Sequence, residues 1–405
     1  MRRPRPRTLG ILCACLALLG PAVVAEVRGA VGWRGSVTLL AGWSGEEREQ
    51  FEEHVVEPFE RTHRIDVVYQ GSSALSQVLA ADMAAGNPPD VVILPGPGEL
   101  LSYALDGRLH PVDDLFDAGH YDDIWVPEVS VPGRPGRHAF WLPVKIGLKS
   151  MVWYAGERPA AGAAGDRERW CLGMESGATS GWPGTDWVED VLLHQAGPRT
   201  YEKWARGELD WTDPAVRRAW TTWGELVGAG EEHVRPALTT AFGKECPAGN
   251  PEHQGAFRTD HWRRKGGDFV HFSEVLGGAG PRTRAWSVSG DLAALVNPTE
   301  EGRQLIRYLA DPDTALPEHR ANEEAAPEGD RDATRRRIAG ILRGARGQPR
   351  CWDASDTMSR ALRDAFHLAV LRHLVDPAEL DVQLRRLQRL QQLSGGHDLP
   401  VCSHD

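Results

Sequence analysis

The segment Ser180-Gly-Trp-Pro-Gly-Thr-Asp-Trp187 places two indole rings and a carboxylate at the predicted start of a helix. A sugar ring has an apolar C–H face that stacks on indole and hydroxyl groups that donate to a carboxylate such as Asp186. Trp182 and Trp187 also fit an ordinary core role, because tryptophan is mostly buried. The chain contains 15 Trp against 6 Tyr and 9 Phe, and this surplus of indole favours a surface that stacks on saccharides.

Three carboxylates in the same predicted helix, Asp186, Glu189 and Asp190, suggest an alternative chemistry in which two of them hydrolyse a glycoside. Carboxylates crowded into one helical turn cannot readily stand on opposite sides of a glycosidic bond, so this alternative is less favoured. His253 and His261 are the nearest candidates for metal ligands, but they do not have the spacing of a metal site. Motifs for phosphate binding, serine nucleophiles and zinc proteases are absent from the sequence. We expect a non-catalytic binding protein without metal or cofactor.

The N-terminal residues predict export from the cytoplasm. Residues 1–7 carry four arginines, residues 9–19 are apolar, and Val23-Val-Ala25 fits the small-residue rule for cleavage. Residues 1–25 are therefore predicted to be a signal peptide, too short in its apolar part to span a bilayer. The residues around Cys15 partly resemble a lipoprotein box, so a lipid-anchored protein is the alternative to a freely secreted one.

Four cysteines follow the predicted cleavage site, and export permits disulfides. Four cysteines allow three pairings and the sequence does not choose among them. We favour Cys171 with Cys246, because both lie in the middle third of the chain, and leave the pairing of Cys351 and Cys402 open. The formal net charge of −11 argues against a nucleic-acid partner, whose phosphates require a basic face.

Strands and helices alternate in the N-terminal third, which predicts a parallel sheet flanked by helices. The predicted strands are 36–41, 65–69 and 90–94, and the predicted helices are 45–61, 74–85, 98–105, 300–310, 332–343, 360–374 and 377–393. Ligands bind such sheets in the loops that follow the carboxyl ends of the strands. A chain of 405 residues exceeds what one ordinary core serves, so two domains are expected.

Several short segments match one known family in their order and spacing. They include Gly42-Trp-Ser-Gly-Glu46, Gly86-Asn-Pro-Pro-Asp90, the stretch 142–150, the stretch 180–187 and His253-Gln-Gly-Ala-Phe257. With these segments the chain resembles bacterial extracellular solute-binding proteins of the sugar-binding cluster, and most closely the alpha-glucoside-binding branch. Members of that family are the receptor subunits of ATP-driven importers.

The resemblance implies a two-lobed α/β clamp of the type II periplasmic-binding-protein fold, each lobe a sheet flanked by helices. Lobe one would hold residues 30–148 and 266–312, lobe two residues 149–265 and 313–395, and residues 396–405 would form a tail. The implied ligand is a carbohydrate, an alpha-glucoside or oligosaccharide, which a monomer delivers to ABC permease subunits in the membrane. A secreted sensor or a degenerate binding protein without transport is the alternative.

The resemblance also implies a set of ligand contacts. They are Trp43, Ser44, Glu46, Ser72, Pro97 and Lys149 on lobe one and the crossover, and Trp182, Asp186, Trp187 and Phe257 on lobe two. Two positions depart from the family, because Gly147 stands where many relatives carry an acidic or polar residue and His367 where tryptophan is common. Both changes remove an expected sugar contact, so an altered site is a further alternative.

Overall fold

The computed structural model describes residues 32–159, 170–276, 284–311, 314, 333–344 and 347–403. The predicted signal peptide and Cys15 lie outside these residues. The strands are β1 (Gly35–Ala41), β2 (Ile65–Gly71), β3 (Val91–Pro95), β4 (Trp141–Leu148), β5 (Met151–Tyr154), β6 (Glu252–His253), β7 (Asp268–His271), β8 (Trp286–Leu295) and β9 (Arg350–Trp352). The α-helices are α1 (Gly45–Phe51), α2 (Glu57–His63), α3 (Leu75–Ala85), α4 (Pro97–Leu105), α5 (Trp182–Ala196), α6 (Pro198–Ala205), α7 (Pro214–Val227), α8 (Thr259–Arg264), α9 (Phe272–Leu276), α10 (Glu300–Ala310), α11 (Ala333–Leu342), α12 (Ala354–Thr357), α13 (Arg360–Val375) and α14 (Leu380–Ser394).

The first sheet has six strands in the order β2-β1-β3-β8-β4, with β9 beside β8. β1 runs parallel to β2 and β3, as the alternation of strands and helices predicts, whereas β8 is antiparallel to β3 and β4. Residues 91–94 of β3 are all buried, as expected for a strand that is covered on both faces. The carboxyl ends of β1, β2 and β3 meet at one edge of the sheet, and α1, α3 and α4 begin there.

A second sheet has three antiparallel strands in the order β6-β5-β7. The chain enters it from the first sheet through Lys149 and Ser150, which separate β4 from β5. Ser150 is buried and has a positive φ of 57°, which costs free energy for a residue with a side chain. Its Oγ accepts from the Ser287 N–H at 3.1 Å and its carbonyl accepts from the Phe272 N–H at 2.8 Å. The link between the lobes is therefore short and held from both sides.

The two-lobed α/β architecture expected from the sequence is confirmed, but two short strands lie in the lobe opposite to the predicted one. β7 pairs along its whole length with β5, so residues 268–271 belong to lobe two and the predicted boundary at residue 266 is corrected. β9 pairs with β8 in the first sheet, although the range 313–395 was expected in lobe two. The lobe to which β7 and β9 belong is set by hydrogen bonds to strands that are far away in sequence.

The tryptophans serve mainly the interior, which corrects the inference drawn from their number. All of them except Trp33 and Trp182 are buried. One cluster packs α6, α7 and α13 of lobe two together, with ring centroids 4.9 to 6.2 Å apart, and consists of Trp204, Trp211, Trp220, Trp223 and Phe366. These tryptophans thus pack in the core between helices, so the number of tryptophans alone does not indicate a surface that stacks on sugars.

Two disulfides join segments far apart in sequence. The predicted bridge between Cys171 and Cys246 is confirmed, and Cys351 pairs with Cys402. The second bridge fastens the predicted tail to the first sheet, because Trp352 N–H donates to the Val401 carbonyl at 2.8 Å and the tail runs antiparallel to β9. No helix in the described ranges has the length and apolar character of a membrane span.

Candidate ligand-binding cleft

A cleft of about 420 Å³ lies between the two lobes. Lobe one contributes the loop after β1, the first turns of α1 and part of β4, and lobe two contributes the residues around α8. The lining residues are Trp43, Ser44, Glu46, Glu47, Gln50, Phe51, Val144, Lys145, Phe257, Arg258, Asp260, His261 and Arg264. The cleft thus opens at the carboxyl end of β1, where α/β sheets bind their ligands, and its volume suits a small molecule.

Trp43 forms the fixed aromatic part of the lobe-one wall. Its Nε1 donates to Asp291 Oδ2 at 2.9 Å, and its ring meets Phe51 edge to face with centroids 4.7 Å apart. The Tyr69 hydroxyl donates to the Trp43 carbonyl at 2.9 Å, which fixes the backbone of the same loop. Burial raises the pKa of the Asp291 carboxyl, while Lys145 and the Trp43 N–H act in the opposite direction. The indole therefore has one position, set by contacts from three other elements.

Alternation along β4 places Lys145, Gly147 and Lys149 on one face of the strand. Lys145 Nζ pairs with Glu47 Oε1 at 2.5 Å and borders the cleft. A Cβ at Gly147 would find only Ser289 Oγ within 4 Å, at 3.1 Å. The glycine therefore leaves room beside the strand, between the two lysines.

The lobe-two wall is rich in cations. Glu252 holds Arg258 of this wall and the buried Trp262 behind it, because Glu252 Oε2 accepts from Arg258 Nε at 3.0 Å and from Trp262 Nε1 at 2.6 Å. Arg264 is exposed at the end of α8 and lines the cleft together with Arg258. The lobe-one lining holds Glu46, Glu47 and Lys145, and the lobe-two lining holds Arg258, Asp260 and Arg264, so lobe one has a small excess of negative charge and lobe two a small excess of positive charge.

Lys149 is the centre of a buried charge cluster beneath the cleft. Its Nζ donates to Asp186 Oδ1 at 3.0 Å and to Asp353 Oδ2 at 2.6 Å. Burial acts to lower the pKa of Lys149, but the two carboxylates outweigh it and hold that pKa well above its usual value. Burial and the neighbouring Asp353 raise the pKa of Asp186 well above its usual range, although the charge of Lys149 acts in the opposite direction.

The other two acidic residues of α5 also have partners within the protein. Glu189 accepts from the backbone N–H groups of Ala354 at 2.7 Å and Ser355 at 3.1 Å, which ties α5 to α12. Asp190 accepts from Ser150 Oγ and faces His253 Nε2 at 2.7 Å. Burial acts to raise the pKa of Asp190, and the bond to His253 outweighs it and lowers that pKa. Asp186, Glu189 and Asp190 are therefore structural in this fold, and none of them lines the cleft.

A family model described as bacterial extracellular solute-binding protein matches residues 42–233. GgtB, the osmoprotective compounds-binding protein of Synechocystis sp., is 29% identical over 317 residues, which cover 68% of this chain and 72% of GgtB. AglE, the alpha-glucosides-binding periplasmic protein of Rhizobium meliloti, is 35% identical over 213 residues, covering 47% of this chain and 46% of AglE. The chain is thus similar to bacterial extracellular solute-binding proteins over residues 42–233.

Solved structures of such solute-binding proteins share the whole fold. A chitin oligosaccharide binding protein superposes with a TM-score of 0.67 at 16% identity, over 89% of this chain and 98% of that one. The bacterial solute receptor AcbH gives a TM-score of 0.68 at 15% identity, over 89% and 99%. The type II clamp expected from the sequence is therefore confirmed, and the family works outside the cytoplasm as the substrate-binding component of importers.

Four of the predicted ligand contacts line the cleft. They are Trp43, Ser44, Glu46 and Phe257. Trp182 lies next to Phe257, with ring centroids 6.0 Å apart, and stays partly exposed. Lys149 and Asp186 lie below the cleft and bind each other, so their charges are already satisfied without a ligand.

Three predicted contacts lie elsewhere and are corrected. Trp187 is 2% exposed and packs against Trp170 at 4.7 Å, so its indole offers no face to a ligand. Pro97 is buried under α12, because a glycine at position 98 allows the Met358 backbone to approach where a Cβ would overlap it. Ser72 Oγ accepts from the Ala74 N–H at 3.1 Å in the turn before α3, and Ser72 is not among the lining residues.

Sequence reasoning missed the charged half of the lining. Lys145 stands in the segment 142–150 that carries the family resemblance, and alternation with Lys149 could have placed it on the exposed face. Arg258 follows Phe257 directly, and His261 and Arg264 lie on the short helix α8 that comes next, so the predicted contact at Phe257 was the available signal for them.

Proposed function

We propose that this solute-binding protein captures a carbohydrate of the alpha-glucoside class outside the cell membrane and delivers it to the permease subunits of an ATP-driven importer. It does so as a monomer that binds the sugar without altering it. The alpha-glucoside class rests on the sequence likeness to AglE, whose name states that ligand. The likeness to GgtB supports small osmoprotective solutes as the neighbouring class to test.

The observation that carries this proposal is the composition of the cleft. Trp43 and Phe257 provide apolar ring surface on the two walls, and carboxylates and cations stand beside each of them. A pyranose needs both kinds of contact, because its C–H face stacks on rings and its hydroxyls form charge-assisted hydrogen bonds. Glu46 on one wall and Arg264 on the other supply an acceptor and a donor at the cleft mouth.

The division of the lining between two lobes supports a clamp mechanism. A ligand that touches Trp43 and Phe257 at once binds the closed arrangement better than an open one, so binding shifts the population toward closure. Lys149 and Ser150 form one of the links around which the lobes would rotate. The solution radius of gyration should fall when a bound sugar is added.

Calorimetric titration of the mature protein tests the proposal. Trehalose, maltose and sucrose represent alpha-glucosides, cellobiose the beta linkage, and glycine betaine an osmoprotectant without a sugar ring. Trp43→Ala should weaken binding of the best sugar, whereas Trp33→Ala, which removes a partly exposed indole near the opposite end of β1, should not. If no alpha-glucoside binds, or if Trp43→Ala binds as tightly as the parent, the proposal fails. Cleavage of the sugar would point to the hydrolase alternative.

A degenerate binding protein without transport is the second candidate. Lys149 and Asp186 favour it, because they neutralise each other at a buried site where the resemblance implies ligand contacts. His367 adds to this, since it is buried and burial lowers its pKa to about 3, so that it is a neutral ring beneath the cleft. Failure of the whole sugar panel to bind a well-folded protein is the result expected for this candidate.

A further inference from the structure

Three aromatic side chains form a surface cluster on lobe two that the cleft only partly includes. The Trp182 ring lies 5.1 Å from Phe242 and 6.0 Å from Phe257, and the two phenylalanine rings are 6.1 Å apart, all as centroid distances. We call these three residues the aromatic triangle. Phe242 is 37% exposed and Phe257 44% exposed, and they are the aromatic members of the exposed large hydrophobics in the described part of the chain.

Backbone hydrogen bonds and a disulfide hold the segment that carries Phe242 in place. The Phe242 N–H donates to the Glu175 carbonyl at 3.0 Å, and Glu175 N–H donates to the Thr240 carbonyl at 2.9 Å. Gly173 allows the same two segments to touch, because a Cβ there would lie 2.5 Å from the Ala241 carbonyl oxygen. The disulfide from Cys171 to Cys246 joins these segments covalently. An exposed ring on so rigid a base loses little conformational entropy when it binds.

The triangle continues the cleft without a break. Phe257 belongs to both, because it lines the cleft and contacts Trp182 and Phe242. Lys149 Nζ lies 5.1 Å from the centre of the Trp182 ring and is already bound by two carboxylates. A ligand unit on the triangle would therefore meet ring faces, with no unpaired buried charge beneath them.

We propose that the aromatic triangle is a second sugar-binding position, so that the preferred ligand is a neutral oligosaccharide with one unit in the cleft and the next unit stacked against Phe242. This inference rests on the proposed function and adds the length of the ligand to it. Phe242, absent from the predicted contacts, then sets the preference for longer sugars. The disulfide acts as a positioning element, because it holds the Phe242 loop against the segment that precedes α5.

A chain-length series tests the inference on the full mature protein. Methyl alpha-glucoside, maltose and maltotriose are titrated calorimetrically into the parent, Phe242→Ala and Phe242→Tyr. The parent should bind maltotriose about tenfold more tightly than the monosaccharide, as expected for one added stacking contact. Phe242→Ala should lose that gain and keep its affinity for the monosaccharide, and Phe242→Tyr should restore it. Leu393→Ala, which removes an apolar side chain that is 84% exposed, is the matched control and should change nothing.

The outcomes separate the inference from the proposed function. If none of the three sugars binds but trehalose or sucrose does, the proposed function stands and the second position fails, whereas the failure of every alpha-glucoside to bind overturns both. If they bind with equal affinity, or if Phe242→Ala keeps the gain for maltotriose, the cleft stands and the aromatic triangle is only surface packing. The double variant Cys171→Ser, Cys246→Ser gives an independent check, because loosening the loop should reduce the gain for maltotriose more than the binding of the monosaccharide.

Discussion

Two tryptophans five residues apart in one motif have different roles. Trp187 is enclosed by Trp170, His253 and Phe272, so Trp187→Ala should lower the free energy of unfolding by about 3 to 5 kcal/mol. Trp182 is partly exposed beside Phe257, so Trp182→Ala should weaken sugar binding by about 2 kcal/mol with little loss of stability. Urea denaturation and calorimetry measure the two effects. A stable Trp187→Ala protein with impaired binding would reverse the assignment.

Asp356 couples the buried charge cluster to pH. Burial and the neighbouring Asp353 raise the pKa of its carboxyl to about 7, whereas an ordinary aspartate has a pKa of about 4. The folded state therefore holds a proton that the unfolded state releases. Stability from this group is complete below the unfolded pKa of about 4 and is lost as the pH rises to about 7.

Asp356→Asn tests this assignment, because asparagine keeps the shape and cannot ionise. We expect the free energy of unfolding of the parent, relative to that of the variant, to fall as the pH rises from about 4 to about 7. The comparison is needed because buried histidines such as His373, whose pKa burial lowers to about 4, act in the opposite direction in this range. A difference between parent and variant that is independent of pH would contradict the raised pKa.

At the residue scale, the sequence predicts the contacts that stand in loops next to helix starts. Trp43 and Glu46 follow β1 directly, and the position of such loops at a strand end is a local property. The exposure of Trp187 is not local, because Trp170 and Phe272 come from distant segments to cover it. Pro97 is lost from the site for the same reason, since α12 reaches it across some 250 residues of chain.

At the scale of the elements, the disulfide between β9 and the segment that follows α14 leads to a specific prediction. Cys351 and Cys402 are 51 residues apart, and Leu399 and Val401 are buried between β9 and α6. Replacing both cysteines by serine should lower the free energy of unfolding by about 2 to 4 kcal/mol, because the unfolded chain gains the freedom of that loop. Denaturation of the oxidised parent and the double variant measures the difference. Equal midpoints would show that the hydrogen bonds of the tail alone hold it.

Most helices and the first three strands could be predicted because their pattern lies within the element. The helix predicted over 300–310 is observed with the same bounds, and that predicted over 360–374 extends by one residue. The sequence could not assign β7 and β9 to a sheet. These strands have four and three residues, which is too short for a hydrophobic pattern that indicates the partner strand. The sequence likewise could not predict that β8 pairs antiparallel with β3, because the partner of a strand is not encoded within the strand itself.

On the scale of the whole molecule, the opposite charges of the two walls predict a dependence on salt. Closure brings Glu46 toward Arg264, so sugar binding should weaken when salt rises from about 0.01 M to about 1 M. Glu46→Gln should reduce this dependence. Glu49→Gln, one turn along the same helix and outside the cleft lining, is the matched control. Calorimetric titration at the two salt concentrations measures the change in sugar affinity. An equal change in the parent and in Glu46→Gln would exclude attraction between the walls.

The fastening of residue 402 to β9 has a consequence for the order in which the protein matures. Synthesis proceeds from the N-terminus, so every strand of both sheets is made before Cys402 becomes available. Until then β9 is held in the first sheet by its backbone bonds to β8 and by contacts of Arg350 and Trp352 with residues 122–125. The covalent link between the tail and the first sheet therefore forms late in biogenesis, and a nascent chain released before residue 402 would lack it.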